Sequence, residues 1–170
     1  IGREDVYAKR FYNVNSGRSG YVPACANEWV QGVCNKKQYK CVDCPNKSFI
    51  AVNNRVIFNH LKGDDEYCRD VIGTYVMLPD ETTRFLAIDF DEESWQDDVT
   101  AVRNICCQYD IPIAVECSRS GNGVHIWLFF AEPIAAATAR KLGSAILTKA
   151  MEKRHEIKLS SYDRMFPNQD

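Results

Sequence analysis

The sequence lacks long apolar segments. No run of 18 apolar residues occurs, and the first ten residues, IGREDVYAKR, have no apolar core of a signal peptide. We therefore expect an intracellular, cytoplasmic protein with no membrane partner. An excess of charge of one sign is also missing, because 21 Lys and Arg face 23 Asp and Glu. Overall charge thus neither indicates nor excludes a nucleic-acid partner, and any basic surface must be local.

Cysteine is abundant, and its distribution divides the chain. Eight cysteines in an intracellular chain of 170 residues are expected to be metal ligands and buried thiols rather than disulfides. Four of them follow the spacing C-x8-C-x6-C-x2-C at Cys25, Cys34, Cys41 and Cys44. The closing CVDC allows two thiolates to meet one tetrahedral ion. This pattern predicts a structural zinc knuckle; the alternative is a set of buried free thiols.

We accordingly expect two parts, an N-terminal module over residues 1–70 that contains the knuckle at about 25–44, and a core over residues 71–170. The core begins with an unusual strand, FLAIDFDEESW, at residues 85–95. Alternation places Asp89 and Asp91 together on the face opposite Leu86, Ile88 and Phe90. Two neighbouring carboxylates repel unless water, a raised pKa or a cation relieves them. The pattern indicates a divalent-metal site or, alternatively, a solvent-exposed strand edge.

The rest of the core predicts an α+β fold. An apolar stripe beginning at Trp95 predicts a helix that ends before Pro112. Two strands, IPIAVECS and VHIWLFF, follow with RSGNG between them, and a helix is predicted over residues 134–154. The order β-α-β-β-α gives five of the six elements of a split β-α-β unit with an antiparallel sheet. The final segment LSSYDRMFPNQD is polar and interrupted, so we expect the last core strand to be absent from this chain.

In such a fold the first and third strands are neighbours, which brings His125 close to the two aspartates. The preceding loop, SRSGNG, combines hydroxyls, a cation and glycines that expose backbone amides. These groups suit a triphosphate, whose oxygens need many donors. Alternatively, the loop is a plain hairpin turn and His125 a core histidine. The residues of the predicted nucleotide-binding loop are Ser118, Arg119, Ser120, Gly121, Asn122 and Gly123.

Three strings in this order, AIDFD, SRSGNGVHIW and SYDRMFPNQD, resemble the three motifs of the archaeo-eukaryotic primase superfamily. Three others, GREDVYAKRFY, GYVPACANEWVQGVC and RKLGSAILTKAMEKRH, resemble more narrowly the primase-like domain of TOTE conflict systems and CRISPR-associated primase-polymerases. The resemblance extends from about Gly2 to Asp170. It differs at Gly123, where the superfamily often has the serine of a Ser-x-His motif, and the family continues into a glycine-rich strand beyond the third acid.

The resemblance implies an RRM-like sheet and two-metal nucleotidyl transfer that primes DNA or extends it from a template. It implies Mg²⁺ or Mn²⁺ at Asp89, Asp91 and Asp170, with Asp163 competing as the third acid, and His125 in contact with the incoming nucleotide. The implied partners are nucleoside triphosphates and a single-stranded or primed DNA template. A fused or associated helicase or CRISPR adaptation proteins are further partners that it implies.

Two other functions are open from the residues. One is a catalytically silent module that grips single-stranded nucleic acid with its sheet and zinc knuckle. The other is a metal-dependent nuclease that uses the same acids. Nucleotide binding distinguishes them, because only the polymerase needs a triphosphate at SRSGNGVH, and the silent module binds strands without its acids.

Overall fold

The structure is a computed structural model that describes residues 2–91, 95–118, 121–153 and 162–168. The chain forms two compact units, one of residues 2–75 and one that begins at Val76. Each unit contains its own antiparallel sheet. Among the described residues, no helix is both long and apolar enough to cross a membrane.

The N-terminal unit is a three-stranded sheet with one helix. Its elements are β1 (Tyr7–Tyr12), β2 (Ser19–Pro23), α1 (Asn54–Lys62) and β3 (Ile72–Thr74). The strand order is β2-β1-β3, so β3, which lies beyond the boundary expected after residue 70, pairs with the first strand. The segment between β2 and α1 consists mainly of turns and carries the four cysteines of the predicted knuckle.

The second unit contains four strands and two helices. Its elements are β4 (Thr82–Asp91), α2 (Trp95–Gln108), β5 (Ala114–Cys117), β6 (Gly123–Ala135), α3 (Ala136–Lys153) and β7 (Tyr162–Phe166). The strands lie in the order β5-β6-β4-β7 and every pair is antiparallel. The α+β prediction and the central pairing of the first and third core strands are therefore confirmed.

The expectation that the last core strand is absent was wrong, because β7 completes the sixth element beside β4. Arg164 lies opposite Asp89, and Tyr162 lies opposite Phe90, so one extra residue, Asp163, is accommodated where the register shifts. Such a bulge keeps both Tyr162 and Met165 against the core although they are three residues apart. A strand is recognised in a sequence by apolar residues at every second position, and this strand does not show that pattern.

The core of this unit lies between the sheet and the two helices. Leu86, Ile88 and Phe90 of β4 share one face, as the alternation in FLAIDFD predicted, and all three are fully buried. They pack with side chains from β6, α2 and α3, among them Val124, Ile126, Leu128, Val102, Ile105, Ile146 and Ala150. Burying each large aliphatic or aromatic side chain contributes roughly 1.5–3 kcal/mol. This packing fixes the orientation of β4 and leaves its alternate residues on the face away from the helices.

Candidate metal and nucleotide site

The site is built on the face of the sheet away from α2 and α3, where side chains from neighbouring strands meet in rows. In the antiparallel register, Asp89 lies opposite His125, and Asp91 lies opposite Gly123. His125 is therefore brought beside the first aspartate, which follows from the order of the strands.

Three carboxylates converge at this point. One oxygen from each of Asp89, Asp91 and Asp163 lies within 4.8 Å of the others. The first two share a face because they are two residues apart on β4, and the third reaches them from the bulge of β7. Asp170, the other predicted third acid, lies outside the described residues. The geometry therefore brings together Asp89, Asp91 and Asp163, the competing choice of the sequence analysis.

The acids are crowded enough to disturb one another. Burial raises the pKa of Asp89, and the charges of Asp91 and Asp163 raise it further, whereas His125 and Arg164 lower it without cancelling the effect. Only 22% of the Asp89 side chain is exposed. A cation bound beside Asp89 would relieve the repulsion that raises this pKa. A set of carboxylate oxygens suits hard divalent ions such as Mg²⁺ and Mn²⁺, so the residues fit the predicted metal.

Arg164 is a residue of this site that sequence reasoning missed. Its Nε lies 3.9 Å from Asp89 Oδ2, and the same group donates to Asp163 Oδ2. It follows the bulged aspartate directly, and the register places it opposite Asp89. The sequence SYDRMF contains this arginine next to Asp163, but its position opposite Asp89 can be inferred only once the segment is known to be a strand. The guanidinium places a permanent positive charge beside the acids.

His125 lies between two carboxylates. Its Nε2 is 3.4 Å from Asp89 Oδ1, and its Nδ1 is 3.6 Å from Glu116 Oε2 on β5. Glu116 is the second residue that sequence reasoning missed, since an isolated glutamate in a short strand carries no motif. Its position next to His125 follows from the pairing of β5 with β6.

The predicted nucleotide loop is a tight turn in its described part. Ser118 N donates to Gly123 O at 2.8 Å, Gly121 N donates to Ser118 O at 2.9 Å, and Gly121 has a φ of +78°. Two backbone amides are therefore used within the turn. Arg119 and Ser120 lie outside the described residues. Ser118 and Gly123 remain directly beside the acids, because a Cβ on Gly123 would be 2.5 Å from Asp91 Oδ1 and 3.3 Å from Ser118 Oγ.

The four cysteines of the predicted knuckle gather in the N-terminal unit. Cys25, Cys34, Cys41 and Cys44 all line one cavity of about 30 Å³, which is room for about one small ion or water. All four are half-buried thiols. Among the described residues, however, only the three acids form a group of three ligand atoms within 4.8 Å of one another, and no three of the four sulfurs do so. Four thiols around one small cavity fit zinc by donor type.

These features define a class: an α+β domain whose RRM-like sheet presents carboxylates that can hold a divalent cation. The family model described as TOTE conflict system, Archaeo-Eukaryotic Primase domain, matches residues 1–170, and the chain belongs to this family. It is a family of primase-type nucleotidyltransferases that bind nucleic acid and nucleoside triphosphates and typically use divalent metals. No curated protein matches the chain.

The first prediction concerns Gly123. In Gly123→Ala the new Cβ collides with Asp91 Oδ1 at 2.5 Å and with Phe90 O at 2.7 Å, and the backbone atom cannot move without separating β4 from β6. We expect a loss of about 1–3 kcal/mol in the free energy of unfolding, and at least tenfold weaker Mn²⁺ binding. Chemical denaturation and calorimetric titration measure the two effects.

Gly73→Ala is the matched control for this prediction, since Gly73 is also a strand glycine but its Cβ would lie 3.7 Å from the nearest atom, Ala8 Cβ. Wild-type Mn²⁺ affinity in Gly123→Ala would show that the position of Asp91 does not matter for metal binding.

The second prediction concerns metal and pH. Mn²⁺ at about a hundredfold excess over its Kd should stabilise the protein by about 2.7 kcal/mol, or roughly 5–10 °C in Tm. The pKa of Asp89 is raised in the folded state, so protons compete with the metal there. The stabilisation by Mn²⁺ should therefore be complete at pH values above the pKa of Asp89. It should shrink as the pH falls through that pKa towards the usual aspartate range. Differential scanning calorimetry measures it.

In the same measurement, Asp89→Asn combined with Asp91→Asn should lose the increment. Without metal at neutral pH, this variant should melt slightly above wild type, because the repulsion between the acids is gone. An equal Mn²⁺ increment in wild type and in the double variant would exclude these acids as the metal site.

Proposed function

We propose that the protein is a DNA primase-polymerase, which transfers nucleotides from nucleoside triphosphates to a 3′-hydroxyl as directed by a template. The observation that carries this proposal is the convergence of Asp89, Asp91 and Asp163 within 4.8 Å on a sheet of the primase family. We propose Asp163 as the third acid, and Asp170 is the alternative. Single-stranded or primed DNA is the proposed template.

In the proposed reaction, the 3′-oxygen of the primer attacks the α-phosphorus of the triphosphate and pyrophosphate leaves. Bound Mg²⁺ or Mn²⁺ would supply activation of the hydroxyl and neutralisation of the phosphate charge. The three acids hold that ion. His125, protonated on both ring nitrogens, and Arg164 lie at the same point of the sheet and contact the triphosphate, whose oxygens accept from both. Ser118, Arg119 and Ser120 provide further donors from the loop.

An aromatic surface beside the acids supports nucleic-acid binding. Trp127 and Phe129 follow His125 at alternate positions of β6, with ring planes within 5° of each other and centroids 6.2 Å apart. The Phe129 side of this pair is open, since 56% of that residue is exposed. Rings of this kind stack on bases of any sequence, at about 1–3 kcal/mol per base. This surface is compatible with the template strand and equally with a silent binding module.

Primer extension by the natural full-length protein tests the proposal and is the third prediction. With labelled primer, single-stranded template, Mn²⁺ and nucleotides, wild type should extend the primer. Asp89→Asn with Asp91→Asn should lose at least a hundredfold in rate, because the metal ligands lose their charge without a change in volume. Asp163→Asn and Asp170→Asn are measured separately. The variant that shows the same loss of rate identifies the third acid.

Asp110→Asn is the matched control for primer extension, since this exposed acid lies in the turn after α2 and tolerates asparagine at its positive φ. Shortening of the primer without any triphosphate would instead indicate the nuclease. Full extension by the double variant would refute the assignment of Asp89 and Asp91.

We further propose a structural zinc at Cys25, Cys34, Cys41 and Cys44, and the fourth prediction tests it. Metal analysis of purified protein should find about one zinc per chain, since four thiolates complete a tetrahedral shell. Cys41→Ser should release the metal and destabilise the N-terminal unit, whereas Cys107→Ser, which removes an exposed thiol of α2, should do neither. A metal-free, folded protein with four reactive thiols would contradict the proposal.

A further inference from the structure

Glu116 occupies a position between two rings of the site that its sequence context does not explain. It lies opposite His125 in the pairing of β5 with β6. Its Oε2 accepts a hydrogen bond from Trp127 Nε1 at 2.9 Å. The same oxygen is 3.6 Å from His125 Nδ1. One carboxylate oxygen thus faces both aromatic N–H groups.

The imidazole nitrogen on the side of Glu116 lacks a hydrogen-bond partner among the described residues. His125 Nδ1 is buried and makes no hydrogen bond within the part of the chain that the structure describes. A buried polar atom without a partner costs about 1–3 kcal/mol, so a nearby acceptor is strongly favoured. Glu116 is the carboxylate beside it, and its side chain is 62% exposed, so a small rotation closes the remaining gap. The opposite nitrogen, Nε2, faces Asp89 Oδ1 at 3.4 Å.

We propose that Glu116 is a positioning residue, which accepts a hydrogen bond from His125 Nδ1 and so keeps Nε2 turned towards Asp89 and the nucleotide. The hydrogen bond to Trp127 holds the carboxylate in place, and the indole packs edge-on against the imidazole with centroids 5.9 Å apart. Without the glutamate, the residues that the structure describes offer Nδ1 no acceptor, and this restraint on the ring is lost. The effect on nucleotide binding rests on the proposed function of His125, but the orientation of the ring does not.

The orientation can be read directly from the nitrogen chemical shifts of the imidazole. In ¹⁵N-labelled protein at the alkaline limit, where the ring is neutral, His125 should carry its proton on Nδ1 rather than on Nε2, which free histidine prefers. His125→Gln assigns the signals. Glu116→Ala should move the proton to Nε2, whereas Glu116→Gln should retain the wild-type tautomer because its amide oxygen still accepts. Identical nitrogen shifts in wild type and Glu116→Ala would overturn the proposal.

A second readout connects the orientation to nucleotide binding. In calorimetric titrations with a non-hydrolysable triphosphate and Mn²⁺, Glu116→Ala should bind about 2- to 10-fold more weakly, as expected for one lost hydrogen bond. Glu116→Gln should recover most of that loss. Glu132→Ala, which removes an exposed glutamate elsewhere on β6, should bind as wild type does.

Combining the two readouts separates this proposal from the proposed function. If His125→Ala itself leaves the nucleotide affinity unchanged, the nucleotide role of His125 fails, while the tautomer result still decides the role of Glu116. If His125→Ala weakens binding but Glu116→Ala does not, Glu116 does not position the ring for the nucleotide and the proposal is overturned.

Discussion

The close approach of three carboxylates on one sheet face is the constraint on which the rest of the second unit depends. Asp89, Asp91 and Asp163 repel one another, and burial of the first makes its ionised form still less favourable. Folding must therefore supply enough packing energy on the opposite face to hold β4 and β7 together. The fully buried side chains of β4 provide that packing against α2 and α3.

The strand register alternates carboxylates with nitrogen-bearing side chains across the sheet at this cluster. Across the four strands, one row reads Glu116, His125, Asp89 and Arg164, so each carboxylate has a nitrogen-bearing side chain beside it. Cations next to acids lower the cost of ionising them, although here they do not cancel it. In the proposed function a divalent cation relieves the remaining imbalance, and the nitrogen groups donate to phosphate oxygens.

The sequence allowed the central part of this arrangement to be predicted, because it depends on local periodicity. Alternation in AIDFD places Asp89 and Asp91 on one face, and strand order brings His125 to them. The last strand could not be predicted, since the bulge at Asp163 separates Tyr162 from Met165 by three residues and hides the alternation. The roles of Arg164 and Glu116 depend on pairing across strands, which no local pattern encodes. The spacing of the four cysteines predicted a zinc knuckle; all four line one cavity, and the zinc itself stays a prediction.

The central claim is that these three acids hold the catalytic cation, and anomalous diffraction tests it most directly. Crystals of the protein soaked in Mn²⁺ with a non-hydrolysable triphosphate should show a manganese peak bounded by the carboxylates of Asp89, Asp91 and Asp163. Crystals of the Asp89→Asn, Asp91→Asn variant should lose that peak. Ordered manganese and nucleotide elsewhere on the protein, with these carboxylates free of metal, would contradict the account.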